Sequence, residues 1–167
     1  MRTPLLILLA GCSAAPTAPT PGDAYTVVAD ATVDDATYGV LGAALAEWTA
    51  AVPALRATLG RGPCPVTVGA ACVTMPGPAA MQAVEEELDS PHLAEVTYYD
   101  PSSDSSELEV FPIGDGLLEQ VLAHELGHAF GLVHAGAGTV MCASTGCQSA
   151  TPTAADVAQY ESLRGRR

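Results

Sequence analysis

Three histidines and one glutamate stand at spacings that suit metal chemistry. The stretch His124-Glu125-Leu126-Gly127-His128-Ala129-Phe130-Gly131-Leu132-Val133-His134 has the skeleton H-E-x-x-H-x-x-G-x-x-H. Residues i and i+4 of an α-helix lie one above the other on the same face. His124 and His128 can therefore aim both imidazoles at one divalent ion. Glu125 is one residue on, about 100° around the helix, so it flanks the metal without ligating it and can take a proton from a water there. Gly131 tolerates φ > 0, which lets a helix stop and the chain turn. His134 follows three residues later and can return as a third nitrogen ligand. Three protein ligands leave a fourth zinc position open, the mark of a catalytic as opposed to a structural site.

Other elements must hold this stretch in place. Leu118, Val121 and Leu122 give its helix apolar anchors, Asp115 is a candidate cap, and Glu119 in the first turn suits the helix dipole. Tyr25–Ala29 (YTVVA) reads as a first strand. Tyr38, Leu41, Leu45, Trp48, Val52 and Leu55 alternate spacings of three and four, as in a helix with one buried face. Thr32 and Asp35 are its candidate capping box, Pro53 its stop, and Trp48 a core residue. Pro65–Val68 and Cys72–Met75 read as short strands, and Pro78–Leu88 as a helix whose Glu85, Glu86 and Glu87 face solvent. Leu93–Asp100 and Glu107–Phe111 flank a polar loop as a hairpin-like pair. His92, outside the motif, reads as a surface residue. Thr153 and Asp156 resemble a capping box before a closing helix with Val157, Tyr160 and Leu163 on one stripe.

The motif resembles the long zinc signature of the metzincin metalloendopeptidases. That family has a methionine turn beyond the third histidine. Gly138-Thr139-Val140-Met141 stands in that place, with Met141 seven residues past His134, similar to the matrixin-like branch. The resemblance covers residues 117–142 closely and the rest by order of elements. It implies an α+β, zincin-like domain. A mixed twisted β-sheet would pack on a long N-terminal helix and an active-site helix, followed by the Met-turn and a C-terminal helix. It implies one catalytic Zn²⁺ on His124, His128 and His134, with Glu125 as general base toward a zinc-bound water. Met141 would be an apolar floor and Gly131 the turn, both structural. The substrate would be a peptide or protein. The sheet edge before the active helix, Ala94–Tyr99, is either a platform that binds substrate backbone or an ordinary edge strand blunted by Glu95. Ala143, two residues past Met141, does not match the branches with a tyrosine there. A cysteine-switch pro-segment is not expected. The alternative is a surface lipoprotein that keeps the zinc site for metal or partner binding without proteolysis.

The N-terminus, MRTPLLILLAGC, has Arg2 ahead of a short apolar run, Leu5–Ala10, too short to span a bilayer. Leu9-Ala10-Gly11-Cys12 resembles the bacterial lipobox, so residues 1–11 read as a lipoprotein signal peptide and Cys12 as the lipidated residue. Ser13 then suggests an exported protein of the outer membrane or cell surface. Residues 12–23 form an Ala/Pro/Thr-rich tether, and residues 24–167 the catalytic domain. Membrane attachment is expected only through lipid on Cys12, and a monomer is expected. With Cys12 lipidated, Cys64, Cys72, Cys142 and Cys147 remain for disulfides in an oxidising compartment. Short separations favour Cys64–Cys72 and Cys142–Cys147. Cross pairing, for example Cys72 with Cys142, and a second zinc site stay open. The chain has no lysine and a net charge of −13, which disfavours nucleic acid phosphate as a partner.

Overall fold

The structure is a computed structural model that describes residues 24–65, 69–77, 96–100, 105–110, 117–144, 146 and 148–165. The signal, Cys12 and the tether lie outside the described residues. So do residues 66–68 of the strand expected at Pro65–Val68, the helix expected at Pro78–Leu88, His92, Asp115 and Cys147.

Among the described residues five strands form one sheet in the order β2-β1-β3-β5-β4. β1 (Tyr25–Ala29) is central. β2 (Ala57–Arg61) and β3 (Ala70–Thr74) flank it in parallel, β5 (Ser105–Glu109) continues in parallel, and β4 (Val96–Asp100) closes the edge antiparallel. Among the described residues three helices accompany the sheet: α1 (Asp35–Ala51), α2 (Leu118–Ala129) and α3 (Ala154–Gly165). The domain is thus α+β, with a mixed sheet.

β1 forms where expected, burying Tyr25, Val27 and Ala29 on one face. The Tyr25 hydroxyl hydrogen-bonds the Ser106 hydroxyl at 2.9 Å inside the core. Ser106 and Leu108 are the buried residues of β5, and Val110 just past its end continues the alternation. That strand therefore begins two residues earlier than expected: its first inward residue is a serine, which carries no hydrophobic signal. β2 was not expected at all. Its sequence, ATLGR, lies at the sheet edge and shows no alternating burial, so no period-2 pattern marks it.

α1 follows the apolar stripe, burying Leu41, Ala44, Leu45 and Trp48. Its cap is Asp34, which accepts the Thr37 N–H at 2.7 Å, not the expected pair Thr32 and Asp35. Those two residues serve elsewhere. The Thr32 hydroxyl bonds Asp30 and accepts the Met75 N–H at 2.8 Å, while Asp35 pairs with Arg61 at 2.7 Å. The helix ends at Ala51, two residues before Pro53, as expected of a residue without an N–H. α1 joins α2 through Trp48, whose indole N–H donates to the Ala123 carbonyl at 2.7 Å. Phe130 packs edge-on against both Trp48 and Tyr25, with centroids 5.7 and 5.2 Å apart. Helix, sheet and the histidine-bearing segment thereby share one core.

Candidate metal centre

α2 begins at Leu118 with no side-chain cap hydrogen bond from its N-cap residue Leu117, and the expected cap, Asp115, lies outside the described residues. From Val121 to Leu132 every residue is buried. A helix buried all round must meet its neighbours closely, and Gly127 is where it does. A Cβ there would fall inside van der Waals contact of Met141 Sδ, 3.0 Å from Trp48 Cζ2 and 3.3 Å from Met141 Cε.

The helix stops as a Schellman motif. Gly131 takes φ 92°, its N–H donates to the His128 carbonyl at 2.8 Å, and the Leu132 N–H donates to the Gly127 carbonyl at 2.9 Å. This turn has a direct effect on the site. It presents the Leu132 carbonyl 2.9 Å from His128 Nδ1. It also sends the chain back so that His134 returns over the helix.

The three imidazoles converge through their Nε2 atoms. His128 Nε2 lies 3.0 Å from His124 Nε2 and 3.3 Å from His134 Nε2. Tetrahedral zinc with Zn–N of about 2.0–2.1 Å needs N···N separations of about 3.3 Å. The donor set fits a metal ion, zinc included, and the three ligand atoms all lie within 4.8 Å of one another. Nδ1 of His128 faces the Leu132 carbonyl, and Nδ1 of His124 faces the Val140 carbonyl at 2.8 Å. A carbonyl can only accept, so the ring proton of His128 belongs on Nδ1 and its Nε2 keeps a lone pair for a metal; a proton on Nδ1 of His124 would free its Nε2 in the same way. Burial pushes the His124 pKa down to about 3 and that of His128 to about 4, and it also lowers that of the more open His134. These imidazoles are neutral at neutral pH, the form in which they can ligate a metal.

Glu125 is 3% exposed, with Oε1 4.0 Å from His124 Nε2. Burial raises its carboxyl pKa to about 8. It flanks the convergence point, as its offset of one residue from His124 requires.

Met141 is fully buried and packs against Gly127 of α2. The turn that carries it is held by α3. The carboxylate of Asp156, 1% exposed, accepts the Val140 N–H at 3.1 Å and the Met141 N–H at 3.3 Å. It also accepts the Thr153 N–H at 2.8 Å and the Thr153 hydroxyl at 2.7 Å. The capping role of Asp156 was legible; its hold on the Met141 turn was not, since nothing local links residues fifteen apart. Gln159 of α3 likewise brackets Val133, accepting its N–H at 2.8 Å and donating to its carbonyl at 3.1 Å, which steadies the residue before His134. Gln148 stands beside His124, with Nε2 2.9 Å from His124 Nδ1 and 2.9 Å from the Cys142 carbonyl. Sequence reasoning missed Gly127, Gln148 and Gln159. Gly127 alone left a signal: an interior helical glycine costs about 1 kcal/mol against alanine, a cost accepted where backbones or side chains must come close.

Cys64 and Cys72 form a disulfide, which rules out the cross pairing of Cys72 with Cys142. Cys142 is also disulfide-bonded, to a partner outside the described residues. With those three thiols oxidised, a second zinc site built on these cysteines is ruled out. Among the described residues the three histidines make the only His/Cys/Asp/Glu cluster that could hold a metal. No protein-family model matches the chain, and no curated protein matches it.

Proposed function

We propose that the domain is a zinc-dependent metalloendopeptidase of the metzincin kind, similar to the matrixin-like branch. The observation that carries this is the meeting of three neutral imidazole Nε2 atoms with the buried carboxyl of Glu125 at their flank. Zinc bound there would supply Lewis acidity, polarising a carbonyl and lowering the pKa of a water to about 7. The roles of the chain's own residues follow from their places. His124, His128 and His134 would hold the ion. Glu125, ionised once a cation beside it offsets the burial that raises its pKa, would take the proton that the attacking water gives up and pass it to the departing amine. Met141 packs against Gly127, since a buried thioether in that contact contributes shape and not charge. β4 is an outer strand of the sheet among the described residues, a place where backbone can pair with an extended peptide.

The same reading places the protein outside the cytoplasm, held to a membrane surface by lipid on Cys12. The signal-like N-terminus supports this, and so do cysteines paired as disulfides. No helix among the described residues is long and apolar enough to cross a membrane.

The test is cleavage of a denatured protein by the purified domain, with and without a chelator, alongside Glu125→Gln. Cleavage should vanish with the chelator. Glu125→Gln should bind one zinc as the wild type does yet cleave at least ~100-fold more slowly. Stoichiometric zinc with no cleavage by the wild type would overturn the peptidase reading and leave a metal-binding surface protein.

A further inference from the structure

We propose that Gln148 is a positioning residue that sets which nitrogen of His124 carries the ring proton, and so whether that ring rests ready for metal. The inference rests on His124 being a metal ligand. A neutral imidazole has one ring proton. Nδ1 of His124 meets two partners of opposite kind: the Val140 carbonyl oxygen at 2.8 Å, which can only accept, and the Gln148 amide nitrogen at 2.9 Å, which can only donate. Each tautomer therefore has one partner at this atom. With the proton on Nδ1, Val140 accepts it. With the proton on Nε2, Gln148 donates to the bare Nδ1.

The other end of the ring breaks the tie. His124 Nε2 lies 3.0 Å from His128 Nε2, and the proton of His128 is committed at Nδ1 to the Leu132 carbonyl. Two facing lone pairs at that distance repel. A proton on His124 Nε2 turns the contact into a hydrogen bond to His128. In the metal-free protein His124 thus rests with its proton on Nε2, held by Gln148. With a metal on Nε2, the proton is on Nδ1 and Val140 accepts it. One proton leaves one ring nitrogen and one arrives at the other by exchange with solvent, so the ring stays neutral throughout.

The amide of Gln148 cannot simply turn over to follow the change. Its nitrogen also donates to the Cys142 carbonyl at 2.9 Å, and a flip would set two oxygens there face to face. Its Oε1 is buried with no hydrogen-bond partner among the described residues. An orphaned acceptor of this kind is costly, which is consistent with an amide fixed by what its nitrogen does. The backbone carbonyl of Gln148 is tied to Gln120 of α2 at 3.1 Å, so the residue is set against the same helix as His124.

The experiment is long-range proton–nitrogen NMR of the histidine rings, first in chelator and then with zinc. In chelator, His124 should show a protonated Nε2 and a bare Nδ1; with zinc, Nδ1 should move to the protonated range. Gln148→Glu, which offers only acceptors when ionised, should put the proton on Nδ1 before any metal is added. Gln148→Leu, which removes the donor, should do the same and serves if the glutamate variant does not fold. A merely structural glutamine would leave the tautomer unchanged in both variants. A protonated Nδ1 in the metal-free wild type, or an unchanged tautomer in both variants, would overturn the proposal. Failure of the wild type to take up zinc would instead strike the metal-site reading, because the metal-free spectra are read independently of it.

Discussion

Replacing Gly127 by alanine probes the contact on which the whole site rests. In an isolated helix this change stabilises by about 0.8–1 kcal/mol, because alanine orders its backbone at less entropic cost. Here the new methyl would land inside the contact radius of Met141 Sδ and 3.0 Å from Trp48 Cζ2. Neither neighbour moves freely. Trp48 is fully buried and anchored by its hydrogen bond to Ala123. Met141 is fully buried, and its backbone is held by Asp156. Overpacking of this kind costs roughly 1–3 kcal/mol, and two fixed neighbours argue for the upper end. Against the helix gain, a net loss of about 2 kcal/mol results, which lowers Tm by roughly 4–8 °C for a domain of this size. The control lies in α1. Gly39 has nothing within 4 Å of a built Cβ, so Gly39→Ala should raise Tm by about 2–4 °C. Calorimetry of both variants in chelator gives the comparison. A double-mutant cycle sharpens it: Met141→Ala should cost at least ~1 kcal/mol less in the Gly127→Ala background than alone, because truncation relieves the clash. If Gly127→Ala stabilises the protein as Gly39→Ala does, the packing of Met141 against the active helix is not as described.

The metal-free protein should be most stable near pH 6.5. Between about pH 8 and 6.5, Glu125 is protonated when folded and ionised when unfolded, so its contribution grows as pH falls, by about 1.4 kcal/mol per unit. Below pH 6.5 the unfolded chain also binds protons at His124 and His128 that the folded protein refuses until about pH 3 and 4, respectively. Two such groups outweigh one, so stability should then fall by about 1.4 kcal/mol net per unit down to roughly pH 4.5; urea unfolding in chelator at pH 8, 6.5 and 4.5 checks this, and a monotonic trend would contradict it. Asp156→Asn should cost about 3 kcal/mol, since one neutral oxygen replaces a carboxylate that serves Val140, Met141 and Thr153. It should also weaken zinc binding by roughly 10-fold or more, because the Val140 carbonyl that orients His124 shares that turn; competition with a zinc indicator reads the affinity, and unchanged binding would separate the turn from the site.

Much of the chemistry was legible because it is local. His124, Glu125 and His128 share one helix, and four-residue periodicity fixes their relation whatever surrounds them. Gly131 was legible for the same reason, since a Schellman turn is written in the six residues that form it. The α1 stripe and β1 were legible from periodicity. β2 was not, because an exposed edge strand lacks the alternation that reveals a half-buried one. The start of β5 was misplaced because its first inward residue, Ser106, is satisfied by the hydroxyl of Tyr25, 81 positions away.

The sequence by itself therefore determined the donor set: which side chains offer nitrogen, which offers a base, and that the first two ligands face one way. Only the tertiary structure decided what those donors are worth. Burial keeps the imidazoles neutral, the carbonyls of Leu132 and Val140 face their rings, and Asp156 and Gln159 of α3 hold the segments that carry Met141 and His134. Ligand identity and helical phase are properties of a short run of residues. Desolvation and ring orientation depend on groups that the chain brings together from far along its length, and no local pattern encodes them.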